Sequence, residues 1–194
     1  MFHSAQFGGR LHEGAVDGWR VTWESRGRVH QHRLWCFQSI GVAQRVVCVV
    51  AFNPGSLRGA GDRLASDTTL RIIRNVMPRN TAALVLNLFS LATSEPSKLF
   101  DNWANRDCRG FDWCLCQALP IDAVAFAYGD YDQHEIYGEY VRRRADEIRE
   151  LFACFTEVAT PQNQSGNPAH PINWQRRKLL PNVRRAISRA VRGR

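Results

Sequence analysis

The sequence predicts an α/β domain, a three-layer α/β/α sandwich around a mainly parallel central sheet, preceded by a β-hairpin. Three observations carry this. Residues 45–52 (RVVCVVAF), 81–89 (TAALVLNLF) and 121–128 (IDAVAFAY) are continuous apolar runs of strand length, the pattern of strands buried on both faces. Segments of helical periodicity separate them, which is the order of a wound parallel sheet. Upstream, Trp19, Val21 and Trp23 alternate with Arg20, Thr22 and Glu24, and a second alternating segment follows Gly27, so residues 19–37 read as a hairpin at the sheet edge or a flap against it.

Taken in order, residues 1–18 are Gly-rich and patternless and are expected to form a flexible arm. The strand at 45–52 ends at Asn53-Pro54-Gly55, because Pro54 removes a ladder donor and Gly55 permits a tight turn. A helix is expected over 67–77, capped by Ser66 or Asp67, with Leu70, Ile73 and Val76 or Met77 inward, and stopped by Pro78. The strand at 81–89 carries Asn87 near its end. A helix over 111–119 is closed by Pro120, and the strand at 121–128 ends at Gly129. The longest helix is expected over 134–155, burying Ile136, Tyr140, Ile148, Leu151 and Phe152. A short strand at 155–159, a polar loop at 160–173 and a terminal helix with Pro181 in its first turn and Val183, Ile187 and Val191 on one side complete the chain. The organisation is one domain at 19–174, long enough to bury its own core, between an arm at 1–18 and a basic helix or tail at 175–194.

Charge is unevenly placed. All 18 acidic residues and 18 of the 26 Lys and Arg precede Gln175, so the net +8 resides in the last twenty residues. Arg176, Arg177, Lys178, Arg184 and Arg185 lead this run, which either meets a polyanion, nucleic acid first among them, or is a solvated tail. A hydrophobic fraction of 44% is ordinary for a globular chain, no apolar run reaches the roughly 18 residues a membrane span needs, and no secretory signal is visible. A cytoplasmic protein without a membrane partner is expected. The six cysteines form no CxxC pair. Cys108, Cys114 and Cys116 have no zinc spacing, and Cys48 and Cys154 read as buried small hydrophobes, so neither a metal, nor a cofactor, nor a disulfide is expected.

Polar residues recur where the buried strands finish: Asn53, Asn87, the Tyr128-Gly129-Asp130 corner and, beyond the last short strand, His170. Each alone is ordinary turn chemistry. Together, at one edge of a parallel sheet, they would line a shared pocket with Asn53, Pro54 and Gly55 as its floor.

The order of these motifs, FNPG at 52–55, LVLNLFSLAT at 84–93, VAFAYG at 124–129 and His170-Pro171, resembles the uracil-DNA glycosylase superfamily over residues 45–174. A nearer resemblance is to a bacterial and phage family of domains of unknown function. It rests on Asn53-Pro54-Gly55, Asp67-Thr68-Thr69, Leu86-Asn87-Leu88-Phe89 with Ala92-Thr93 and Pro96, and Gly166-Asn167-Pro168-Ala169-His170-Pro171. The glycosylase resemblance implies a uracil-DNA-glycosylase-like fold and hydrolysis of a base–sugar N-glycosidic bond, possibly in DNA. It implies that Asn53 positions water, Asn87 reads a base edge, and His170 donates toward the developing oxyanion. Phe52 or Tyr128 would stack on the base, and Arg58 or Arg63 would hold a phosphate. Asn53 departs from a carboxylate and cannot accept a proton from water, a charge that Asp62 or Asp67 could supply, although Asp67 also reads as a helix cap. Trp174, where glycosylases continue with a Ser/Pro-rich loop, is either a wedge or a buried core residue. Two functional expectations follow: an enzyme acting on a nucleobase, nucleoside or nucleotide, or a non-catalytic binding module that keeps the pocket.

Overall fold

Strands β1 (Arg10–Val16), β2 (Trp19–Arg26), β3 (His30–Gln38), β4 (Arg45–Ala51), β5 (Thr81–Asn87), β6 (Ala123–Phe126) and β7 (Thr156–Glu157) hydrogen-bond into one sheet, in the order β1-β2-β3-β5-β4-β6-β7. The structure, a computed structural model, describes residues 9–27, 30–39, 42–57, 64–108 and 121–193. Helices α1 (Thr68–Val76), α2 (Lys98–Asp101), α3 (Gly138–Leu151), α4 (Pro171–Arg176) and α5 (Leu180–Arg192), with short 3-10 turns at Trp103–Asn105 and Tyr131–Gln133, complete the described elements.

The sheet is mixed, not mainly parallel. β4 pairs parallel with β5 and β6, and β6 with β7, but β1, β2, β3 and β5 pair antiparallel in succession. The expected hairpin is therefore a three-stranded meander fused to the sheet through Cys36↔Val85 and its neighbours. Its first strand occupies residues assigned above to a flexible arm. The signal was Asp17-Gly18: both have positive φ, 51° and 80°, as a two-residue hairpin turn that follows strand twist requires.

Alternation then assigns side chains to two faces. Val47 and Val49, Ala83 and Val85, and Ala123, Ala125 and Ala127 pack with α1, α4 and α5. Cys48, Val50 and Phe52, Leu84 and Leu86, and Val124, Phe126 and Tyr128 pack with α3 and with Leu99 of α2. Because β4, β5 and β6 are buried on both faces, the continuous apolar runs were legible as strands.

Packing corrects several expectations. Along α3 the buried stripe is Gly138, Val141, Ala145 and Ile148, followed by Phe152, while Ile136, Tyr140 and Leu151 are exposed. The helix starts at Gly138 rather than 134, and Gly138 is what lets its first turn approach the Asp132 carbonyl, against which a Cβ there would clash. Cys154 is exposed because it lies in the turn after α3, whereas Cys48 is buried as expected. The terminal helix is no tail: Val183, Ile187 and Val191 are buried against the sheet, and α5 contacts α1, α4, β4 and β6. The helix expected over 111–119 lies outside the described residues.

For the site, the decisive fact is direction. Ala51 is in register with Asn87 and Val50 with Phe126, so three strands finish at one edge. From there the chain leaves β4 toward α1 on one face and leaves β6 toward α3 on the other. Divergent exits from neighbouring parallel strands open a crevice at the strand ends.

Candidate functional site at the strand ends

The β4 exit, Phe52 to Gly55, forms one wall. Asn53 does not point an amide into open space. Its Nδ2 donates to Thr93 Oγ1 (2.8 Å), the Pro54 carbonyl (3.1 Å) and the Leu91 carbonyl (3.3 Å). With the Thr93 N–H donating to the Pro54 carbonyl at 3.1 Å, the β4 exit is stitched to the segment after β5. Asn53 thus pins the turn through its Nδ2.

Behind Gly55 lies an ion pair that sequence reasoning missed. Arg33, 2% exposed, donates from Nη1 to Asp67 Oδ2 at 2.8 Å and from Nη2 to Asn87 Oδ1 at 3.4 Å. Asp67 Oδ1 meanwhile accepts from Thr69 N (2.8 Å) and Leu70 N (3.3 Å), capping α1. Burial opposes the Arg33 charge, but Cys36 and Asp67 outweigh it and raise its pKa above the usual guanidinium value. Asn87 is wholly buried, its side-chain oxygen committed to Arg33 and its Nδ2 without a partner among the described residues. Simple alternation from Cys36 would put Arg33 on the opposite face. A bulge in β3, where Trp35 pairs with Thr22 but Arg33 with Trp23, absorbs Leu34 and turns Arg33 toward Asp67.

His170 completes this side. The Ile172 N–H donates to its Nδ1 at 3.3 Å, so the imidazole caps α4. Burial, against an upward pull from nearby Asp67, pushes its pKa down to about 4. The ring is therefore neutral near pH 7, and since Nδ1 accepts, the proton sits on Nε2. Gly129 joins His170 to an aromatic wall: a Cβ at Gly129 would lie 3.4 Å from Tyr131 Cε2 and 3.5 Å from His170 Cβ. Gly129 has φ +81°, and its N–H donates to the Pro168 carbonyl at 2.9 Å, locking the β6 exit to the loop that delivers His170. Tyr131, half-buried, stacks on Phe52 with centroids 4.1 Å apart and planes 19° from parallel. Burial, and then Asp130, raise its phenol pKa, so the hydroxyl stays a donor.

The structure thus brings together Pro54, Gly55, Asp67, Asn87, Phe52 and His170, and adds Arg33, Gly129 and Tyr131. Tyr128 does not join them as a stacking residue. It follows the parity of Phe126 onto the α3 face, and its hydroxyl accepts from Arg149 Nε at 3.4 Å. Phe52 is buried with Tyr131 on one ring face, so the partly accessible Tyr131 is the aromatic a ligand would meet. Trp174 is fully buried, no wedge. Arg58, Arg63 and Asp62 lie outside the described residues. Arg176, Arg177, Lys178, Arg184 and Arg185 are exposed on α4, α5 and the joint between them. Among the described residues no group of three or more His, Cys, Asp or Glu is placed to hold a metal, and no helix is long and apolar enough to cross a membrane.

The model of the family described as "Protein of unknown function (DUF1643)" matches residues 32–172. The chain belongs to this family. The matched span opens just before Arg33 and closes just after His170, so it contains every residue of the strand-end cluster and leaves β1, β2 and α5 outside. No curated protein and no solved structure matches the chain.

Proposed function

We propose that this domain recognises a nucleobase, as part of a nucleoside, nucleotide or nucleic acid, in the crevice between the β4 and β6 exits. The single observation that carries the reading is His170: a neutral imidazole, fixed as the Nε2–H donor by its own helix cap, set beside Gly129 and Tyr131. A neutral N–H donor suits a base carbonyl, and an aromatic beside it suits a base face. Asn87 Nδ2 is a second buried donor without an acceptor among the described residues, which a ligand entering past Asp67 would supply. In this reading, helices on both faces of the sheet are the outer layers of a glycosylase-like α/β/α sandwich.

Hydrolysis of the N-glycosidic bond is the second reading, and the Asp67–His170 proximity favours it. A carboxylate within electrostatic reach of a neutral imidazole donor is a pairing that can orient water and stabilise a leaving base anion. Against it, both Asp67 oxygens are already engaged, by Arg33 and by two backbone N–H groups, in holding the ion pair and capping α1. The geometry therefore supports recognition ahead of hydrolysis.

Two assays test the pair. Calorimetric titration with free bases and nucleosides is expected to detect binding that His170→Ala weakens at least about tenfold, the worth of one hydrogen bond to a buried polar group. No binding of any base by the parent would sink the recognition reading. Mass spectrometry of DNA carrying uracil, mismatched or modified bases would show released base, lost in His170→Ala, if the second reading holds.

A further inference from the structure

Helices α1, α4 and α5 form one connected layer on a single face of the sheet, with contacts between each pair. Their sequences, TTLRIIRNV, PINWQR and LPNVRRAISRAVR, contain no acidic residue. Arg71 and Arg74 on α1, Arg176 on α4, Arg177 and Lys178 at the joint, and Arg184, Arg185, Arg189 and Arg192 on α5 are all exposed. On the opposite face α3 is balanced, with Glu139, Asp146, Glu147 and Glu150 beside Arg142, Arg143, Arg144 and Arg149. The α3 arginines are partly spent in pairs with Glu139, Glu147 and Glu157, a compensation that the three basic helices lack among the described residues. Asp17 borders the basic layer, but it meets Arg74 through its backbone carbonyl and gives its carboxylate to Ser66.

We infer that this acid-free layer is a track for a nucleic-acid backbone, and that the ligand of the strand-end crevice is a base within a strand rather than a free nucleotide. The inference rests on the base-recognition reading and deepens it. Continuity is built into the helix starts: α1 begins at Asp67 and α4 at His170, so both helices lead from the crevice straight onto the basic face. At about 1.5 Å rise per residue, Arg71 and Arg74 lie roughly 6 and 10 Å along α1 from the crevice, within a strand's reach of a base seated there. Eight of the nine cations are arginines, whose planar forks bind phosphate bidentately.

Chemistry also discriminates against an anionic membrane. A membrane-surface helix needs an apolar face free to insert. Here that face of α5, Val183, Ile187 and Val191, is buried in the core, and none of the exposed large hydrophobic residues among the described ones lies on this layer.

The experiment is fluorescence-anisotropy binding of labelled single-stranded and duplex 20-mers to the full chain across 50–400 mM salt. The variant is Arg71→Gln/Arg185→Gln/Arg189→Gln, and the control is Arg142→Gln/Arg143→Gln on α3. All five positions are exposed, so folding should be undisturbed, and circular dichroism checks it. Each lost phosphate contact lowers the log–log salt slope by about 0.7 for a single strand and about 0.9 for duplex, so the triple variant should lose about 2 to 3 slope units and roughly a hundredfold or more in affinity at 0.1 M salt. The control should bind like the parent. Equal binding by triple variant and parent, or an equal loss in the control, would overturn the track. So would parent binding to vesicles rich in phosphatidylserine that the triple variant loses while oligonucleotide binding is unchanged. Nucleoside titration of the triple variant separates the two claims: retained nucleoside binding with unchanged oligonucleotide affinity sinks the track alone, whereas the parent binding no base sinks the crevice reading.

Discussion

Replacing Arg33 by methionine tests the organisation of the crevice most directly. Arg33 is 2% exposed and its partner Asp67 13% exposed, so the pair lies largely out of water. Removing one member of such a pair typically costs about 3–5 kcal/mol, because the other charge is left without compensation. Asp67 keeps two backbone N–H donors and some solvent, which places Arg33→Met near the lower end, about 3 kcal/mol. For a chain of this size that corresponds to a melting temperature lowered by about 6–12 °C. Asp67→Asn is the informative partner: asparagine still caps α1, yet it strands the Arg33 charge with only the 3.4 Å bond to Asn87. Thermal and urea unfolding of the parent, both single variants and the double variant would give the coupling energy. The double variant buries no unpaired charge and should be more stable than the sum of the singles by about 2 kcal/mol or more. Stability of Arg33→Met within about 1 kcal/mol of the parent, or additivity within about 0.5 kcal/mol, would refute the reasoning.

Other outcomes follow from the same geometry. His32 and His170 are both held down to about 4, in each case chiefly by burial, against 6.5 in an unfolded chain. The unfolded state therefore binds protons first as pH falls, and stability should drop between about pH 6.5 and 4 by up to about 1.4 kcal/mol per pH unit for each histidine. Urea titrations across that window should show a shallower dependence in His170→Asn. Gly129→Ala should cost about 1–2 kcal/mol, since φ +81° is strained for a side chain and the new Cβ would press on Tyr131 and His170, and it should weaken base binding in the calorimeter. Asn53→Asp would restore a carboxylate where glycosylase-like hydrolysis would want one. Facing the Leu91 and Pro54 carbonyls and Thr93 Oγ1, it should instead destabilise by about 1–3 kcal/mol and gain no base-releasing activity.

Much of this protein could be read from its residues one segment at a time. The continuous apolar runs determined β4, β5 and β6 because burial on both faces erases alternation, and Asp67 and Pro181 marked helix starts by local capping chemistry. The recurrence of polar residues after each strand pointed to the strand ends as the candidate site, since parallel strands in one sheet run toward the same edge. Even β1 was announced, by Asp17-Gly18, although its Gly-rich surroundings masked it. What tertiary structure alone decided depended on partners distant in sequence. Arg33 reaches Asp67 and Asn87 only because a bulge between paired strands reverses its parity, and no local pattern encodes a bulge. That the Asn53 amide nitrogen is spent on the turn shows only once the segment after β5 supplies its acceptors. The basic end read as either a helix or a tail, and only the sheet, by supplying a surface for Val183, Ile187 and Val191, decided for a packed helix layered with α1. A sequence shows what each side chain can donate, accept or bury, and the fold determines which of those capacities are already used at home and which remain for a ligand.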